Sequence, residues 1–386
     1  MRTMGCFVVN EHANGRRGEL VHSEDANEQI LHSRREVLTS ATYGLGAMLL
    51  FRRSVASAAG ATRDTSKGQT AGNAVALASR GQPRSVCAGR ACLLVVGVGD
   101  DEDPVSWMRS GHSDWLEHRL ARPAPGEPDV WGVAAHGDQF VAVGSMLQQN
   151  ATKVVADQTV PGEQSTVTFS ARRRRPTIWW TRDGTRWSGR ILDDLDEPHA
   201  QLVSVSCNSA LLVAVGSTLD ADGVQGSGAL VLASDDHGRT WRRGEIARAD
   251  ATLAEGSLTG IARVGDQWLA TSSDIEGGAV WTSRDGLRWS TIPASAKRFR
   301  GLTLQGIGVW RNQVYVAGTA LATHRPRYFV SNDACRTWRR LRPGPRALTG
   351  SDVTVNDLTV VPGGVVVVGT RSGVPVIEGG AADVGH

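Results

Sequence analysis

Ser234-x-Asp236-x-Gly238-x-Thr240-Trp241 sets a carboxylate two residues after a hydroxyl, shortly before a glycine and an indole. Such a carboxylate has two chemical uses. It can move a proton in acid–base catalysis, or it can accept N–H groups of its own turn. Three more stretches repeat the spacing: Thr181-x-Asp183-Gly184-x-x-Trp187, Ser283-x-Asp285-Gly286-x-x-Trp289 and Ser331-x-Asp333-x-Cys335-x-Thr337-Trp338. A catalytic acid is singular in an active site, whereas these aspartates recur in register. They therefore read as turn staples: Asp takes backbone N–H groups, Gly permits a left-handed backbone, and Trp covers apolar surface. Cys335 stands where the other copies carry Gly; if that position needs a positive φ, cysteine there costs on the order of 1 kcal/mol.

The turns sit inside a larger repeat. One unit reads GVAAHGDQFVAVGS (132–145), SVSCNSALLVAVGS (204–217), GIARVGDQWLATSS (260–273), GIGVWRNQVYVAGT (306–319) and DLTVVPGGVVVVGT (357–370), with SVCAGRACLLVVGVG (85–99) as a sixth copy. Each is an apolar stretch, a tight turn and a β-branched stretch, which spells a hairpin. The Trp-bearing unit follows each hairpin except the last, again as strand, turn, strand. A worn copy lies at 106–118. Four strands per unit and six units predict an all-β fold, a β-propeller of six four-stranded blades, with seven as the alternative. The last copy lacks its fourth strand, and a segment near residues 70–83 is a candidate to supply it.

The Ser234–Trp241 stretch resembles the Asp-box of bacterial neuraminidase-type (BNR) repeats at every defining position, and the other three copies resemble it with the changes noted. The resemblance covers the whole repeat region and implies a sialidase-like propeller. It also implies that ligands bind on the face opposite the Asp-box turns. A catalytic member would need three arginines, a Tyr–Glu nucleophile pair and an Asp acid/base. This chain departs from that pattern. The F/Y-R-I-P motif is missing, QPRSVCAG with Arg84 being the nearest stretch, and only Tyr315 and Tyr328 lie within the repeats. No catalytic residue is carried over.

Loops opposite the Asp-boxes supply the candidate ligand-binding residues: Asp101 and Asp103 in GDDEDP, Asp274 in SDIEGG, Arg298 and Arg300 in AKRFR, and His324, Arg325, Arg327 and Tyr328 in ATHRPRY. Asp100–Asp103, or Asp220-Ala221-Asp222-Gly223, could hold calcium, but solvated loop charge is the simpler reading. Arg172–Arg175 read as an exposed basic loop closing the longest insertion, about 146–176. No Cys-x-x-Cys or Cys/His spacing suggests zinc, so no metal or cofactor is expected. Cys87 and Cys92 flank the AGRA turn and invite a cross-hairpin disulfide.

With 42 Lys plus Arg against 39 Asp plus Glu, the net charge of +3 makes no case for nucleic acid. All 12 Trp lie between Trp107 and Trp338, which marks the folded part. Upstream, Ser33-Arg34-Arg35-Glu36-Val37-Leu38 precedes a weakly apolar run, Thr39–Phe51, and then Ala56-Ser57-Ala58. That order is an export signal too short to span a membrane, and the arginine pair resembles the bacterial twin-arginine signal. The expected domains are a signal over 1–58 with a long leader, a flexible Ala/Gly/Ser/Thr linker over 59–83, and the propeller over 84–386. The expected protein is a monomer, secreted or held in the cell envelope, without a membrane span after signal removal. It binds a glycan or an extracellular protein without catalysis; the alternative is a sialidase-like exo-glycosidase or another polysaccharide-active enzyme. Replacing Arg34 and Arg35 together by Lys should leave the precursor inside the cell on fractionation, and unchanged export would refute the twin-arginine reading.

Overall fold

The computed structural model describes residues 74–75 and 81–380, apart from 111–112, 150–152, 158–164, 170–171, 196–198, 221–225, 248–255, 275, 342–349, 351 and 362–363. The export signal, with Arg34 and Arg35, lies outside the described residues. Six blade sheets follow in chain order, and a separate two-stranded sheet, Lys153–Asp157 with Ser165–Phe169, lies between the second and third strands of blade 2. Blade 1 is Gln82–Ala88, Cys92–Val98, Pro104–Ser110 and Leu116–Arg119. Blade 2 is Glu127–His136, Gln139–Gln149, Arg172–Thr181 and Ser188–Ile191. Blade 3 is Ala200–Cys207, Leu212–Leu219, Gly226–Ser234 and Arg242–Arg243. Blade 4 is Ser257–Val264, Gln267–Ser273, Gly278–Ser283 and Arg288–Thr291, with Glu245–Ile246 added in parallel at its outer edge. Blade 5 is Leu302–Trp310, Gln313–Ala320, Pro326–Ser331 and Arg339–Arg340. Blade 6 is Val353–Val361, Gly364–Arg371 and Val374–Gly380, and Ala74–Val75 supplies its fourth strand. The innermost strands of successive blades touch, and those of blades 6 and 1 touch as well. The ring is therefore a closed six-bladed propeller, completed from upstream of blade 1.

A four-stranded blade cannot bury both faces alone, and the apolar core shows how the need is met. Buried apolar residues form six clusters, each shared by two neighbouring blades, from Cys87, Leu94, Trp179 and Trp187 between blades 1 and 2 round to Val86, Trp107 and Val368 between 6 and 1.

Every innermost strand carries a β-bulge at the same place, skipping Arg84, Trp131, Val203, Thr259, Gln305 and Asn356 in the pairing. A bulge pushes one residue out of the ladder and bends the strand. It also pushes a carbonyl toward the second strand. A Cβ on Gly144, Gly216 or Gly369 would sit 2.0 Å from that carbonyl, and one on Gly97 or Gly318 at 2.1 or 2.5 Å. This explains the recurrent Gly in the second half of the hairpins, before Ser or Thr in blades 2, 3, 5 and 6 and before Val98 in blade 1; blade 4 alone has Ser272 there.

The residue after each bulge meets the next blade. Ser85 Oγ accepts from Val133 N at 3.2 Å, and Ser204 Oγ from Ile261 N at 3.2 Å. Asp357 closes the ring, accepting from Ser85 Oγ at 2.6 Å, Val86 N at 3.3 Å and its neighbour Leu358 N at 2.7 Å. The other three blades carry Gly, because the next strand is too near: a Cβ would stand 2.7 Å from Ser204 Cα at Gly132, 3.1 Å from Ile307 at Gly260 and 2.8 Å from Leu358 N at Gly306. Burial pushes the Asp357 carboxyl up to about 7, against the downward pull of its three donors.

The four Ser/Thr-x-Asp turns share one hydrogen-bond pattern. Asp236 Oδ1 accepts from Arg239 N at 2.9 Å and Thr240 N at 2.8 Å, while Ser234 Oγ donates to it and accepts from Gly238 N, both at 2.8 Å. Asp183, Asp285 and Asp333 repeat the scheme on their own turns. The Thr240 and Thr337 hydroxyls above all hold Asp236 well below the carboxylate range and Asp333 at about 2; the Arg186 N–H does the same for Asp183. For Asp285 partial burial works upward, and the N–H groups of Arg288 and Leu287 outweigh it. The glycines lie at φ 75 (Gly184), 83 (Gly238) and 73 (Gly286), and Cys335 sits at φ 66, so this cysteine does bear the expected backbone cost. Trp241 and Trp289 each donate to the glycine carbonyl of their own turn, at 3.1 and 3.0 Å. Trp187 instead reaches Ser106 Oγ of blade 1 at 3.0 Å.

Three expectations need correction. Arg172–Arg175 form the start of a blade strand rather than an exposed loop, because the second and third strands of blade 2 are prolonged in register. Arg174 is buried there, 2.9 Å from Ser145 Oγ and 3.6 Å from Asp129. Cys87 and Cys92 are free thiols. The ladder sets Cys87 opposite Leu94, so Cys92 is its diagonal neighbour, and diagonal pairs stand roughly 7–8 Å apart at Cα, beyond the usual disulfide span. The first blade strand begins at Gln82, two residues before the expected boundary.

Trp289 is 2% exposed, so Trp289→Ala should lower stability by about 3–5 kcal/mol in urea unfolding, and a near-zero change would contradict its place in the blade. Asp357 yields a pH prediction. Its folded pKa lies above its unfolded one, so stability should fall as pH rises from about 4 to about 7 and then level off. Wild type should lose stability relative to Asp357→Asn between pH 5 and pH 8; a constant difference would contradict the raised value.

Candidate functional site

The chain direction assigns the two faces of the ring. First-to-second-strand turns and Ser/Thr-x-Asp turns share one face. Second-to-third-strand loops and blade-to-blade links occupy the other, and the bulges lie at that end of the innermost strands.

The bulges build a central cup on this second face. Arg84, Trp131, Val203, Thr259, Gln305 and Asn356, one residue from each blade, line it together with Gln201, Ser257 and Leu258. The Arg84 guanidinium lies over the Trp131 ring, 4.1 Å from its centroid, a cation–π stack at the mouth. Asn356 Nδ2 donates to Pro83 O at 2.7 Å, and Gln305 Nε2 to Thr303 Oγ1 at 2.9 Å. Thr259 and Thr271 share a hydroxyl contact of 3.1 Å. Trp131 Nε1 and Ser257 Oγ are buried with no protein partner. The cavity they border is about 30 Å³, room for about two waters. The cup can thus donate hydrogen bonds and positive charge to one small polar group at its mouth.

The expected site residues fall into three sets. Tyr328 is 4% exposed and Tyr315 3%, both packed in the apolar cluster between blades 5 and 6. Tyr328 pairs with Ala317 in mid-ladder, so its side chain lies in the blade core rather than on the loop face. Asp101 and Asp103 stay at the surface, paired with Arg119 and Arg122; Arg119 Nη1 lies 2.8 Å from Asp103. No group of three metal-ligating side chains exists among the described residues.

Asp274, Arg298, Arg300, His324, Arg325 and Arg327 do come together, on the rim of blades 4 and 5. Backbone bonds tie their loops: Gly278 N to Phe299 O at 3.2 Å, Gly301 N to Glu276 O at 2.8 Å and Leu321 N to Gly301 O at 3.0 Å. Asp274 Oδ1 accepts from Glu276 N at 2.7 Å and Gly277 N at 2.8 Å, so it caps its own loop. A short helix, α1 (Pro293–Arg298), presents Arg298, whose guanidinium lies 5.1 Å from the Phe329 ring centroid. His324 takes a positive φ of 52 at the tip of its loop.

Five of the six cup-facing bulge residues were not picked out by sequence reasoning; Arg84 alone was noted. A signal existed, since each bulge residue stands immediately before the first residue of a repeat copy. Their side chains differ in all six blades, so the repeat pattern passes over them.

No family model matches the chain, and no curated protein does. Solved structures with a similar fold include sialidase-type propellers. The Hadza microbial sialidase Hz136 matches at 14% identity and TM-score 0.56, over 78% of this chain and 65% of that one. The intramolecular trans-sialidase from Ruminococcus gnavus, in complex with oseltamivir carboxylate, matches at 10% identity and TM-score 0.53, over 82% and 99%. Trypanosoma rangeli sialidase in complex with sialic acid matches at 10% identity and TM-score 0.49, over 78% of this chain and 53% of that one. The chain therefore spans little more than half of the trypanosomal enzyme. Likeness at this level establishes a shared fold, the sialidase-type six-bladed propeller.

Proposed function

We propose that the chain is an exported, non-catalytic propeller that binds a glycan or an extracellular protein partner through the face opposite its Asp-box turns. The observation that carries this reading is the central cup. A guanidinium stacked on an indole, with the indole N–H and the Ser257 hydroxyl left without protein partners, suits one carboxylate or hydroxyl of a sugar held at the mouth. The size of the cavity, about 30 Å³, favours recognition of one group at the mouth over enclosure of a whole sugar. The alternative, a sialidase-like hydrolase, would also need its nucleophile exposed, whereas Tyr315 and Tyr328 are buried. The names of the similar sialidases make glycans the first ligands to try.

A glycan array followed by calorimetry on the full chain tests the proposal. Binding to an acidic glycan should weaken at least about tenfold, some 1.4 kcal/mol, in Arg84→Ala and in Trp131→Ala, with no turnover of a fluorogenic sialoside. Sialoside turnover that disappears in Tyr328→Phe would establish the alternative instead.

A further inference from the structure

Charge on the loop face is distributed unevenly. Around blades 1 and 2 most of the cations are neutralised within the protein: Arg119 and Arg122 by Asp101 and Asp103, Arg174 by Asp129, Arg175 by Asp193, with exposed Arg173 the exception among the described residues. Around blades 4 and 5 they are not. Lys297, Arg298, Arg300 and Arg325 are exposed, Arg327 is half-buried, and none of the five has a carboxylate partner among the described residues. The acids nearby are Asp274, already held by its own loop, and Glu276. Three loops hydrogen-bonded backbone to backbone display these cations side by side, so the patch is held in place by the fold.

We propose that this rim is a docking strip for an acidic polysaccharide, a polymer carrying a carboxylate or sulfate on successive sugars. The inference rests on the reading of this face as glycan-binding, and it adds the class of glycan and a second point of contact away from the cup. Guanidinium groups take carboxylate and sulfate oxygens in a two-pronged geometry, and several weak pairs along one chain add up by multivalency. Single-stranded nucleic acid, the other common polyanion, needs aromatic platforms for its bases. The large exposed apolar side chains among the described residues are Leu116, Trp180 and Val374, and none lies on this rim.

The test measures affinity of the full chain for polygalacturonate and dextran sulfate, with neutral dextran and a single-stranded oligonucleotide as comparisons. Wild type should bind an acidic polymer, with affinity dropping steeply between about 50 and about 200 mM NaCl. The triple variant Lys297→Gln/Arg300→Gln/Arg325→Gln leaves the Arg298 stack on Phe329 intact and should lose at least about tenfold in affinity and most of the salt dependence. Arg119→Gln/Arg122→Gln, on blade 1, should bind as wild type does. The proposal is overturned if the triple variant keeps wild-type melting temperature and wild-type affinity, if neutral dextran binds equally well, or if the oligonucleotide binds more tightly than either polymer. Arg84→Ala separates the two readings: loss of small-glycan binding with polymer binding retained upholds the rim. A glycan array without hits, alongside polymer binding that the triple variant abolishes, removes the cup reading and leaves this one standing.

Discussion

Six innermost strands must crowd around one axis, and the contact between each strand and the next is the constraint on which the molecule depends. The bulge in every innermost strand answers it. Bending the strand lets its neighbour approach, throws one side chain into the cup and forces glycine opposite in five blades. The residue after the bulge then has two options. It is a glycine where backbones nearly touch, or a hydroxyl or carboxyl that reaches the next strand. Ring closure uses the most demanding version, in which Asp357 of blade 6 binds both Ser85 and the backbone of blade 1.

The outer turns work locally where the bulges work between strands. Each carboxylate satisfies N–H groups that would otherwise lack partners, and the charged acceptor makes those bonds stronger than neutral ones. The depressed titration of these aspartates is the same fact seen from the proton's side. Cys335 shows how tightly the backbone is prescribed: a side chain is tolerated at a left-handed position because the surrounding bonds leave no other conformation, while its thiol is buried in the blade 4–5 core. Repetition of the device in four blades is what separates it from catalytic chemistry.

The loop face opposite the Ser/Thr-x-Asp turns inherits its properties from both levels. Its centre is shaped by bulge residues that vary from blade to blade, and its rim by loops whose cations are mostly neutralised on one side and open on the other. A rigid ring carrying variable loops is a common way for one fold to serve unrelated chemistry. The chain shares the propeller architecture of the sialidase-type structures, with Tyr315 and Tyr328 buried in its blade core.

By itself the sequence determined the fold class, the turn chemistry and the orientation of the two faces, while it left the blade count between six and seven and named only a candidate for the closing strand. Each of these follows from local periodicity or a fixed spacing, repeated often enough to be read without neighbours. Tertiary structure alone decided which residues reach the cup, because a bulge is defined by what two strands fail to pair. It also decided that Tyr328 turns inward, that Arg174 is buried against Asp129, and that Asp101 and Asp103 are occupied by Arg119 and Arg122. A residue type announces what a side chain can bond to; only the packing of one blade on another settles which partner it meets.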